Sequence, residues 1–175
     1  METPRYVAAA ERALGYPVGD SVSFVLSQVA LRQWREALAT SIASDTEIAL
    51  YGVGDPDARR VERFVVPEQS CSAARCATSP TALVRLVRSA NDSGAAVLCQ
   101  AHTHPHARQA FLSGQDQRLL EHLVADLPPP TAERREAWVG VNGPRGELVG
   151  LMLRDRAGEG SLHAVRTRAM EGGEP

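Results

Sequence analysis

His102, Thr103, His104 and Pro105 are followed by Ser113, Gly114, Gln115 and Asp116, and these two runs carry the side-chain types of a catalytic metal site. Two imidazoles and a carboxylate are common ligands of hydrolytic zinc, and a three-ligand set leaves the fourth position open to water. Residues 95–101 form a short apolar run with strand character. Side chains two apart on a strand share a face, so His102 and His104 aim at one point. Pro105 has no N–H to donate and ends the pairing. Ser113 stands where it can cap a helix whose apolar positions Leu119, Leu120, Leu123, Val124 and Leu127 recur at helical spacing. Asp116 then lies in the first turn and can turn its carboxylate back toward the strand end.

A hydrolase also needs a base for its water. Glu47 opens the stretch 47–54, directly after an amphipathic helix expected over residues 28–43 with Val29, Leu31, Trp34, Leu38 and Ile42 as its apolar stripe. A carboxylate ahead of a buried strand is a costly choice for packing alone.

Glu47 ahead of a Gly-containing strand, then His102-Thr103-His104-Pro105, then Phe111-Leu112-Ser113-Gly114-Gln115-Asp116, resembles the JAMM (JAB/MPN-plus) zinc metalloprotease family, in its prokaryotic ubiquitin-like deconjugase form. The family's pattern is a Glu, then His-x-His-Pro, then Ser-x-x-Asp, and the likeness spans residues 26–153. It implies that His102, His104 and Asp116 ligate Zn2+, that Glu47 is the general acid/base, and that Ser113 helps hold the oxyanion formed at the attacked carbonyl. The implied reaction is zinc-assisted hydrolysis of the isopeptide or peptide bond after the C-terminal Gly of a ubiquitin-like protein. The implied partners are that modifier, its extended tail adding a strand beside the site, and E1/E2-like conjugation proteins. The implied fold is α/β: a single cytidine-deaminase-like MPN/JAB domain, a mixed β-sheet sandwiched by helices. Residues 105–112 separate His104 from Ser113, one more than the family's usual spacing, and the extra residue is expected in the loop 106–110.

Other readings compete. A relative that frees cysteine or sulfur from a sulfur-carrier protein would use the same residues, and a metal-free MPN scaffold would bind partners without chemistry. Ser113 and Asp116 by themselves fit a helix N-cap with a first-turn acid. His106 follows Pro105 and is expected to face solvent or substrate, and His122 to be exposed on its helix. A barrel amidohydrolase needs a longer chain, and a metallo-β-lactamase site needs an Asp-His pair where His106 and Ala107 stand.

Composition narrows the class further. A net charge of −2 and a pI near 6.2 give no electrostatic case for nucleic acid. Arg59, Arg60 and Arg63 read as a solvated hairpin edge. No apolar stretch approaches a membrane span and no signal peptide opens the chain, so a cytoplasmic enzyme is expected. All 19 basic residues are Arg. Only Lys offers an amine that conjugation can acylate, so this fits either GC-rich codon bias or an enzyme that works beside a ligase. The three cysteines lack framework spacing. Cys71 and Cys76 are expected as reduced thiols in a loop after Pro67, and Cys99 as a small core residue.

The remaining elements follow from turn signals. Strands are expected over 21–26, 50–53 and 61–66, with a turn at Asp55-Pro56-Asp57. A helix is expected over 81–91, and a hairpin over 138–141 and 148–153. The helix after Ser113 should stop before Pro128-Pro129-Pro130. Residues 1–20 read as a loosely packed helical N-terminal arm, 21–156 as the metalloprotease domain, and 157–175 as a mobile C-terminal tail.

Overall fold

Apolar residues alternate along most strands of this chain, and that alternation serves two cores rather than one. The computed structural model describes residues 2–129 and 134–171. In chain order it has α1 (Arg5–Leu14), β1 (Val22–Leu26), α2 (Gln28–Ser44), β2 (Ala49–Asp55), β3 (Arg60–Val65), β4 (Gln69–Ser72), β5 (Arg75–Thr78), α3 (Pro80–Asp92), β6 (Ala96–His102), α4 (Gly114–Asp126), β7 (Arg134–Asn142), β8 (Leu148–Arg156) and β9 (Glu159–Ala169). Seven strands run β1-β3-β2-β6-β7-β8-β9, and β9 pairs parallel with β1 to close a mixed barrel. Along β7, Ala137, Val139 and Val141 face a core shared with α1, α3 and α4. Trp138 faces the other core, shared with Phe24, Trp34, Phe64 and Met152. Closure leaves no edge strand in this sheet, so its backbone groups find partners without a covering layer.

This corrects the expected architecture. A closed seven-stranded barrel with four helices stands where the resemblance implied an MPN/JAB sheet sandwiched by helices. The barrel closes through β9, which lies in the segment 157–175 expected to be a tail. Ser161-Leu162-His163-Ala164-Val165 carries the strand pattern, and Leu162 and Val165 are fully buried. The Gly, Glu and Arg around it hide that short run; Gly158 merely makes the turn into the strand with a left-handed φ of 88°. The last four residues of that segment, and Pro130 of the proline run, lie outside the described residues. The arm also differs from expectation. α1 packs on β9 and buries Val7 and Ala10 completely.

Two local expectations change as well. In α2 the buried stripe is Ala30, Trp34, Ala37 and Ser41, while Val29 and Ile42 are 43% and 56% exposed. Small residues at three of those four positions let the helix approach the barrel closely, and Trp34 fills the remaining volume. Residues 69–78 form the two-stranded β4–β5 sheet rather than a loop, and its register sets Cys71 opposite Cys76 in a disulfide. Cys99 is a fully buried free thiol, and burial pushes its pKa up.

Candidate metal centre

β6 delivers the two histidines. His102 is its last residue, paired with Ala49 of β2 on one side and Val141 of β7 on the other. Thr103 points the opposite way and anchors the turn. Its hydroxyl donates to Ser41 Oγ of α2 at 2.6 Å and accepts from the Ile48 N–H at 2.9 Å. Its own N–H donates to the Ile48 carbonyl at 3.0 Å. His104, past the strand end, has its backbone gripped by one side chain. Asn142 accepts from the His104 N–H at 2.7 Å and donates to the His104 carbonyl at 3.2 Å. The two imidazole rings end with centroids 4.7 Å apart.

α4 delivers the carboxylate. Ser113 caps the helix by accepting from the Asp116 N–H at 3.2 Å, while Asp116 Oδ2 accepts from the Ser113 N–H at 2.6 Å. This reciprocal pair fixes the Asp116 side chain. Its other oxygen, Oδ1, lies 3.2 Å from His102 Nε2. Ligand atoms of His102, His104 and Asp116 all fall within 4.8 Å of one another, a group suited to one cation.

Second-layer contacts complete the set. Gln100, two residues before His102 on the same face and only 5% exposed, places its Oε1 3.1 Å from His102 Nδ1. An amide oxygen can only accept, so this contact favours a proton on Nδ1, the tautomer in which Nε2, facing Asp116, can ligate a cation. Burial, reinforced by the charge of His102 and opposed by that of Asp116, drives the His104 pKa down to about 4. That imidazole is therefore neutral near pH 7, as a metal ligand must be. Asp116 is held below the usual carboxylate range: burial works against its ionisation, but the hydrogen bond and charge of His102 and the bonds from Ser113 outweigh it.

Glu47 reaches the same cleft. Its Oε1 lies 3.9 Å from His104 Nε2, with both side chains largely buried. Burial raises its pKa, the charge of His102 opposes the rise and that of Asp116 adds to it. A carboxylate moved up in this way is a better proton acceptor near neutral pH. The cleft, of about 450 Å3, is lined by these residues and by Ala73, Ala74 and Ala77 of the β4–β5 segment, Phe111 and Leu119. Phe111 is 56% exposed although it packs near the His104 ring, at a centroid distance of 6.3 Å.

The structure thus brings Glu47, His102, His104, Ser113 and Asp116 into one cleft. The loop 105–110 carries His106 outward, where it pairs with exposed Asp45. His122 is exposed. Gln100, Asn142 and the residues of the β4–β5 hairpin did not emerge from the sequence reading. A glutamine inside an otherwise apolar strand was a usable signal for the first. Asn142 reads as a turn residue until β7 is set beside β6.

No protein-family profile matches the chain, and no curated protein does. Among solved structures, the chain is similar to the solution structure of protein DSY2949 from Desulfitobacterium hafniense, with a TM-score of 0.52 and 16% sequence identity. The alignment covers 84% of this chain and 94% of that one. At this identity the likeness concerns the fold alone. No helix among the described residues is long and apolar enough to cross a membrane.

Proposed function

We propose that this chain is a JAMM-type zinc metallopeptidase that cleaves the isopeptide or peptide bond after the C-terminal Gly of a ubiquitin-like protein. The observation that carries the reading is the convergence of His102, His104 and Asp116 within 4.8 Å, with Glu47 beside them. The donor set fits zinc: two imidazoles, that of His104 kept neutral by burial, and one fixed carboxylate, with the Gln100 amide oxygen against Nδ1 of His102. Bound zinc supplies Lewis acidity that activates a water and polarises the scissile carbonyl. Glu47 takes a proton from the attacking water and passes it to the leaving amine. The Ser113 hydroxyl, which accepts from the Asp116 N–H and also bonds the Asp116 carboxylate, lines the cleft and turns its hydrogen to the oxyanion as charge develops. Ala73, Ala74 and Ala77 line the cleft with small side chains, which leaves room for an extended tail.

Zinc content measured by mass spectrometry on the wild type, His104→Ala and Asp116→Ala tests the centre. About one zinc per chain in the wild type, lost in both variants, is the expected result. Glu47→Gln should retain the metal yet cleave a Gly-Gly-tailed fusion at least about a hundredfold more slowly. A wild type that takes up no zinc when supplied with it overturns the proposal.

A further inference from the structure

We propose that the Cys71–Cys76 disulfide is a thiol-sensitive clamp on this cleft: reducing it releases the β4–β5 hairpin from the Glu47 backbone and lowers the activity of the site. The effect on activity rests on the hydrolase reading above; the release of the hairpin does not.

The β4–β5 hairpin is a sheet of its own, outside the barrel. Two strands alone are at best marginally stable in water, so such a hairpin depends on its tethers. Most of them converge on the segment that carries the base. The Glu47 N–H donates to the Ser72 carbonyl at 2.9 Å. Two residues on, the Gln69 side chain brackets Ala49, accepting from its N–H at 2.9 Å and donating to its carbonyl at 3.0 Å. Residues 47–49 are therefore strapped to β4 at both ends. The disulfide lies between these straps, since Cys71 sits between Gln69 and Ser72 and pairs with Cys76.

Gln69 makes the clamp sensitive to the state of the sulfurs. Its Oε1 lies 2.9 Å from Cys71 Sγ and 2.7 Å from Cys76 Sγ, while also accepting from Ala49. A disulfide has no hydrogen to donate there. Two thiols donate weakly to Gln69 Oε1 and, from Cys76, toward the Glu47 carbonyl 3.7 Å away. Against these weak contacts, reduction removes the covalent link of a lone two-stranded sheet, and with it the constraint that holds Gln69 and Ser72 to residues 47–49.

The bond is reachable. Both cysteines are half-buried, and Cys76 lines the cleft. A small dithiol attacks one sulfur through its thiolate, forms a mixed disulfide, and closes on itself to expel the cysteine. Two electrons and two protons pass to Cys71 and Cys76, and the reductant ends as its own disulfide. Cys99 is fully buried and takes no part in exchange.

The test uses the zinc-loaded full chain in three forms: oxidised, reduced with dithiothreitol and then freed of it anaerobically, and Cys71→Ser/Cys76→Ser. Hydrogen exchange is followed at the Glu47 and Ala49 amides, alongside zinc content and cleavage of a Gly-Gly-tailed fusion. Reduction should speed exchange at both amides about tenfold or more, the scale expected when the entropic restraint of a short cross-link is lost. Cleavage should fall at least about fivefold through misplacement of Glu47, with zinc content unchanged. The double variant should match the reduced wild type and ignore the reductant. Unchanged exchange at Glu47 and Ala49 overturns the clamp; faster exchange with full activity overturns its link to the chemistry. If no form cleaves while exchange still responds, the hydrolase reading fails and the clamp stands.

Discussion

Asn142 and Gln100 show how much a candidate metal site depends on residues that touch no metal. Asn142 satisfies both backbone groups of His104 just where β6 ends and strand pairing can no longer do so. Asn142→Ala leaves the half-buried His104 N–H without its partner, while the His104 carbonyl keeps only the Ala107 N–H, which costs about 1–3 kcal/mol, read as a lower midpoint of urea unfolding. Gln100→Leu keeps the volume but frees the His102 ring to choose its tautomer. Zinc affinity should fall about 10–100-fold, measured by competition with a chelator, while urea stability changes little. A separate histidine gives a pH dependence of folding. His163 Nδ1–H donates to the Asp20 carbonyl and Nε2 accepts from Ser161, each at 2.8 Å, an arrangement that needs the neutral ring. Burial lowers its pKa, with the Asp20 carbonyl opposing. Its folded value lies below its unfolded one, so its contribution is complete above about pH 6.5 and declines as pH falls through that value. Metal-free wild type should lose melting temperature between about pH 7 and 5 more steeply than His163→Gln, because only the wild type must protonate or bury an unfavourable ring there.

Elements act here as mounts for single side chains. The N-terminus of α4 is at once a helix cap and the carboxylate's mount, because Ser113 and Asp116 hold each other across three residues. Ser113→Ala should therefore show two separable effects. Loss of the cap costs about 1 kcal/mol of stability, and loss of the donated hydrogen bond lowers kcat about 100-fold with little change in KM. Thermal melts and steady-state cleavage kinetics read the two apart, and an unchanged kcat would leave Ser113 only its structural part. α2 makes a similar mount at longer range. Its buried Ser41 accepts from Thr103, which fixes the residue between the two histidines. Helical spacing alone suggested a wider apolar stripe that included Val29 and Ile42, and both proved exposed. The contact with Thr103 selects a small polar residue at Ser41, which hydrophobic periodicity cannot register.

At the scale of the molecule, closure of the barrel is what fixes the two histidines, since β6 lies between β2 and β7 within a ring that has no free edge. β9 completes that ring by pairing antiparallel with β8 and parallel with β1. A chain ending at Gly158 loses this strand, exposes β1 and β8 as edges and leaves Val7 and Ala10 of α1 without their partner surface. Unpaired edges of this kind template aggregation. Such a truncation should be insoluble or melt without cooperativity, where the full chain melts in one transition.

By itself, the sequence determined the local matters: the helices after Ser27, Ser79 and Ser113, most of the barrel strands, where Ser113 caps, and the spacing that sets His102 and His104 on one face. These follow from periods of two and 3.6 and from turn and cap chemistry, which act over a few residues. The set Glu47, His102, His104, Ser113 and Asp116 was legible for the same reason, because each residue type carries its chemistry with it. Only the tertiary structure decided that Glu47, far from His104 in the chain, faces it across the cleft. The same holds for β9 closing a barrel, and for Asn142, Gln69 and the disulfide hairpin bracing the site. Those are contacts between distant segments, selected by shape and by the need to pair every buried polar group, and no short-range pattern in the chain encodes them.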